Sequence, residues 1–89
     1  MKAEIRVQGV VQGVGYRFFV LNQAGLYDIR GYVRNVPDGT VEVVAEGDKG
    51  IIKDFIDRLR IGPVSAHVTG VKVKWSEQEQ GYIDFRLQH

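Results

Sequence analysis

The sequence predicts an α+β domain in which two helices cover one face of a mostly antiparallel sheet. Three observations carry this. Four short segments alternate apolar and polar residues, the period of a half-buried strand, and a fifth, residues 29–36, reads as a strand beside them. Two longer segments switch to helical spacing. Their order is strand, helix, strand, strand, helix, strand, with a short strand at the end.

Residues 3–9 open the chain as a strand, with Ile5 and Val7 on one face and Glu4, Arg6 and Gln8 on the other. The run Gly9 to Gly15 carries three glycines and reads as a loop. Residues 16–27 then form a helix, since Tyr16, Val20, Ala24 and Tyr27 fall on one stripe. A second strand occupies 29–36. Pro37-Asp38-Gly39 is a turn, because Pro presets one backbone angle and Gly accepts positive φ. Residues 40–46 return as a third strand, with Val41, Val43 and Ala45 facing one way. Asp48 is a candidate N-cap for a second helix whose stripe is Ile52, Phe55, Ile56 and Leu59. Gly62-Pro63 stops it. Residues 67–75 give a fourth strand, with Val71, Val73 and Trp75 alternating against Lys72 and Lys74. Residues 82–87 give a short fifth, with Ile83, Phe85 and Leu87 alternating against Asp84 and Arg86. This order is the split βαβ, or ferredoxin-like, sandwich: βαββαβ plus a short terminal strand. The expectation is a single domain over residues 1–89.

Composition narrows the function. Twelve Lys/Arg stand against eleven Asp/Glu, mixed along the chain, so no broad field invites a polyanion such as a nucleic acid. There is no cysteine, which removes thiolate catalysis and zinc-thiolate sites. His67 and His89, the two histidines, are isolated and lack neighbours at metal spacing. No apolar run approaches a membrane span, and the N-terminus has no signal-peptide core, so a cytoplasmic location with no membrane partner is expected. Nothing asks for more than a monomer.

Topology points to a site. In a split βαβ unit the first two strands run parallel, so their C-terminal ends share one sheet edge. The glycine loop, Arg17 in the first helical turn, and Asn35 at the end of the second strand converge there, although Arg17 and Asn35 lie 18 residues apart. Glycines let backbone N–H groups turn toward one point. The helix start adds free amides and its dipole. Arg17 adds a fork suited to two phosphate oxygens. The pattern is neither a Walker loop nor a dinucleotide fingerprint, and taken alone it fits a tight strand-to-helix connection equally well.

The run Val7-Gln8-Gly9-Val10-Val11-Gln12-Gly13-Val14-Gly15-Tyr16-Arg17 resembles the first motif of the acylphosphatase family. The run Gly31-Tyr32-Val33-Arg34-Asn35-Val36-Pro37-Asp38-Gly39-Thr40-Val41, closed by Gly47, resembles the second, with the same Arg-to-Asn spacing. Weaker similarity continues through Gly62-Pro63, Val68, Val71 and Asp84-Phe85-Arg86. The resemblance implies hydrolysis of small acyl phosphates to carboxylate and phosphate, with no metal and no cofactor. It makes Arg17 and Asn35 the catalytic pair, Arg17 holding phosphate and Asn35 orienting water. It gives phosphate binding to the loop of Gln12, Gly13, Val14, Gly15, Tyr16 and Arg17. The chain departs from the pattern at Tyr16, where Phe is commoner, and at Gly25 and Asp28, where a polar helix former and a Gly are usual.

Two other readings compete. A non-catalytic anion-binding or regulatory module could use the same fold. An RNA-binding domain of this topology would want surface aromatics on the central strands, and the first and third strands offer Ile5, Val7, Val41 and Val43 instead. Asp38 and Asp48 read as turn and cap residues. Tyr16, Phe18, Phe19, Tyr27, Tyr32, Phe55 and Trp75 read as core and sheet-face packing.

Overall fold

The computed structural model describes residues 1–89. Its elements are β1 (Lys2–Val10), α1 (Tyr16–Leu26), β2 (Arg30–Asn35), β3 (Val41–Glu46), α2 (Lys49–Ile61), β4 (His67–Ser76) and β5 (Phe85–Gln88). One five-stranded sheet has the order β4-β1-β3-β2-β5. β3 pairs antiparallel with both β1 and β2, β4 pairs antiparallel with β1, and β5 lies parallel beside β2. This is the ferredoxin-like arrangement, with β5 added at the β2 edge.

The alternation seen in the sequence decides the layers. Ile5, Val7, Val33, Val41, Val43 and Ala45 point from the sheet into the core. Val20 and Ala24 from α1, and Ile52, Phe55 and Leu59 from α2, meet them there. The amphipathic stripe of α2 is therefore buried as expected. Its start is capped by Asp48, whose side chain accepts from the Ile51 amide at 3.1 Å. It ends at Gly62, whose amide bonds back to the Arg58 carbonyl.

Four expectations need correction. The fifth strand starts at Phe85, not at residue 82. The amides of Gln80, Gly81 and Tyr82 all turn to the buried carboxylate of Glu46, so this stretch cannot join the ladder, and Ile83 is left 87% exposed. β1 runs past Gly9 to Val10, because a bulge between Gln8 and Gly9 re-registers it against Val68 and His67. Phe18 is 64% exposed rather than packed. It lies two residues past Tyr16, about 200° around the helix from the buried stripe. Finally, Ile5, Val7, Val41 and Val43 face the helices, so they say nothing about the open face. That face carries Glu4, Arg6, Tyr32, Arg34, Glu42, Lys72 and Lys74. Its centre is an ion-pair cluster in which Glu42 accepts from the Tyr32 hydroxyl at 2.6 Å, Arg34 at 2.8 Å and Arg6 at 3.4 Å.

Candidate active site

β1 and β2 are both antiparallel to β3, hence parallel to each other, and β5 shares their direction. The C-terminal ends of all three therefore meet at one edge. Val7 and Asn35 both sit opposite Val41, on its two flanks. The loop leaves β1 just beyond that row and enters α1.

The loop owes its shape to two glycines. Gly13 and Gly15 have φ of 75° and 77°, the left-handed region that side chains resist. A Cβ at either would meet no atom, so conformation and not space requires glycine there. Gly15 is the N-cap of α1. No side chain caps this start, and no acidic residue lies in the first turn. The first amides of a helix have no intrahelical acceptor, so this end suits an anion.

Arg17 stands in that first turn. Its Nη1 donates to the Gln88 carbonyl at 3.2 Å. Gln88 is in register with Arg34, the neighbour of Asn35. The guanidinium is thus held at the strand ends where Asn35 lies. Asn35 itself shows an unusual feature: its Oδ1 is buried and has no hydrogen-bond partner. Such an acceptor normally costs about 1–3 kcal/mol, and a native structure that keeps one calls for an explanation.

The remaining loop residues divide by side chain and main chain. The Tyr16 ring is buried and its hydroxyl donates to the Leu59 carbonyl at 2.7 Å, which leaves only its backbone for an anion. Burial pushes its phenol pKa well up. The Gln12 side chain is turned to the β2–β3 hairpin, donating to the carbonyls of Val36 and Thr40. Ser65 donates its hydroxyl to the Val14 carbonyl at 2.7 Å and braces the loop from the other side. Ser65 and the Gln88 carbonyl escaped the sequence reading: one is distant in the chain, and the other acts through a main-chain atom that any residue carries.

Asp38 has the turn role expected of it. Asp38 accepts from the Thr40 amide at 3.0 Å and from its hydroxyl, which close the turn and lower the Asp38 pKa. His67 lies on the edge strand and His89 is the last residue, and no group of three His, Asp or Glu side chains converges anywhere.

Comparisons with known proteins identify the family and the fold. The acylphosphatase family model matches residues 3–87. An acylphosphatase of Chlorobaculum tepidum is 46% identical over 86 residues, which are 97% of this chain and 94% of that one. The crystal structure of acylphosphatase from Bacillus subtilis superposes with a TM-score of 0.97 at 34% identity, over 99% of this chain and 98% of that one. HypF of T. kodakarensis contains a similar unit, with a TM-score of 0.86 and 35% identity, although all of this chain spans only 12% of it. Because the likeness to stand-alone relatives runs almost end to end, in residues and in backbone alike, this chain belongs to the acylphosphatase family of enzymes.

Proposed function

We propose that this protein hydrolyses the carboxyl–phosphate anhydride of small acyl phosphates by direct attack of a water held by Asn35, with the phosphate bound by Arg17 and the backbone of residues 12–17. The single observation that carries the reading is the place of Asn35 at the end of β2, on the edge where the loop leaves β1, with a side-chain oxygen that no protein group engages. A water that donates one hydrogen to this oxygen turns its lone pair toward phosphorus. The P–O bond to the acyl oxygen then breaks, a carboxylate leaves with the bond pair, and the water protons pass to phosphate. An acyl phosphate dianion and water thus give a carboxylate and dihydrogen phosphate.

The equipment is sufficient because the reaction demands little. The leaving group's conjugate acid has a pKa of about 4, so no general acid is required. The transition state is loose, with charge spread over the equatorial oxygens, so catalysis reduces to position and electrostatics. Neither task calls for a metal or a second subunit, and a metal-independent monomer is proposed. No helix is long and apolar enough to cross a membrane, and the cytoplasm is the proposed location.

The test is phosphate release from acetyl phosphate with chelator present. Arg17→Ala should weaken phosphate affinity and slow turnover, and each lost transition-state contact should cost about 10²–10³ in rate. Asn35→Ala should lose rate while keeping phosphate affinity. Near-normal turnover of Asn35→Ala would remove the water-holding role. The likeness to a segment of HypF supports a second reading, a binding module, and phosphate binding without turnover in the wild type would select it.

A further inference from the structure

We infer that the Gln12 side chain is the positioning residue for Asn35: it sets the distance between the phosphate loop and the hairpin from which Asn35 acts. This rests on the proposed role of Asn35 and adds to it the element that assembles the two halves of the site.

The geometry is a two-point clamp. Gln12 Nε2 donates to the Val36 carbonyl at 2.8 Å and to the Thr40 carbonyl at 2.8 Å. Val36 directly follows Asn35, and Thr40 closes the same turn. Both carbonyls also take part in the turn itself, Val36 accepting from the Gly39 amide and Thr40 from the Val36 amide. One primary amide has two N–H donors, and both are used here. On its other side Gln12 is bonded directly to Gly13, so whatever holds its side chain also holds the start of the loop. A short run of bonds therefore links the anion cradle to the backbone on which Asn35 is mounted.

The hairpin has other restraints. Asn35 pairs with Val41, and Arg6 reaches the Thr40 hydroxyl at 3.3 Å and Asp38 at 3.5 Å. These fold the turn from the sheet side, and none of them touches the phosphate loop. Gln12 alone joins turn to loop by side-chain hydrogen bonds. Without it both halves persist, but their separation is no longer specified. An error of about 1 Å between water and phosphorus is enough to cost ~10²-fold in rate. Phosphate binding rests on Arg17 and on loop amides that Ser65 still braces through the Val14 carbonyl, so it falls far less than the rate.

The experiment measures kcat on acetyl phosphate and Ki for inorganic phosphate in Gln12→Glu and Gln12→Met, each alone and combined with Asn35→Ala. Gln12→Glu keeps the shape but sets carboxylate oxygens against two carbonyl oxygens. Gln12→Met keeps the length, removes both donors and introduces no repulsion, so it serves where the first fails to fold. Expected for the single variants is a fall in kcat of about 10- to 100-fold, with Ki changed by less than about threefold. In the Asn35→Ala background the same substitution should cost less than about twofold more, since the residue acts through the side chain already removed. Losses that multiply in full, or a Ki that rises in step with the fall in kcat, overturn the inference while leaving the Asn35 reading intact. Near-wild-type kcat of Asn35→Ala alone overturns that reading and this inference with it.

Discussion

Tyr16 links the start of one helix to the end of the other. Its ring fills the core beside α1, and its hydroxyl reaches the Leu59 carbonyl in the last turn of α2, where helical carbonyls lack intrahelical donors. A phenylalanine would fill the same volume and leave that carbonyl without this donor. Tyr16→Phe should therefore lower stability by about 1 kcal/mol, seen as a drop of ~4–8 °C in Tm. An unchanged Tm would mean that water replaces the hydroxyl without loss. Asn35 is the opposite case, a polar atom buried with no partner. Tyr16 satisfies its polar end within the fold, whereas no protein group satisfies the Asn35 Oδ1.

Among the elements, α1 shows how local sequence can work against its own geometry. The helix ends in a Schellman arrangement: the Ile29 amide bonds to the Ala24 carbonyl at 2.9 Å and the Asp28 amide to the Gly25 carbonyl at 3.4 Å. This requires a left-handed residue after the cap, and Asp28 takes φ 54°, the only non-glycine at positive φ. Gly25, one of the residues free of that demand, sits within the helix with open space around it. Asp28 also sets a negative charge at the negative end of the dipole. Gly25→Ala should stabilise by up to about 1 kcal/mol, and Asp28→Gly by a similar ~1 kcal/mol through relief of left-handed strain. Urea midpoints check both. A loss of stability in Gly25→Ala would show that glycine is needed at this position.

The whole molecule is a sheet with one dry face and one charged face. On the charged face Glu42 joins Arg6 of β1 to Tyr32 and Arg34 of β2. The Arg34 hydrogen bond, aided by Tyr32 and Arg6, holds the Glu42 pKa below the ordinary glutamate range. A carboxylate depressed in the folded state adds stability that is fully present above its unfolded pKa of about 4.3 and is lost as pH falls through the folded value. Stability should therefore decline as the pH drops below about 4, and Glu42→Gln should flatten that decline in urea titrations run at each pH. Parallel curves for the two proteins would show that the cluster adds nothing. Tyr32 works from the other end. Burial and the Glu42 hydrogen bond push its pKa up to about 12, so its contribution is complete below pH ~10 and fades as the pH approaches the folded value.

Local pattern in the chain was enough to specify the order of the seven elements, the turn at Pro37-Asp38-Gly39 and the Asp48 cap, because each depends on residues within a few positions of one another. That the loop before α1 and the end of β2 lie at one sheet edge was also legible, since the crossover between the two strands is parallel. Other features depended on distant partners. The start of β5 was set by a buried carboxylate on β3 that draws three amides out of the ladder. The direction of the Gln12 side chain was set by two main-chain carbonyls of a hairpin, and the Arg17 contact by a main-chain oxygen at the far end of the chain. Main-chain acceptors carry no residue signature, so only the folded arrangement could reveal them.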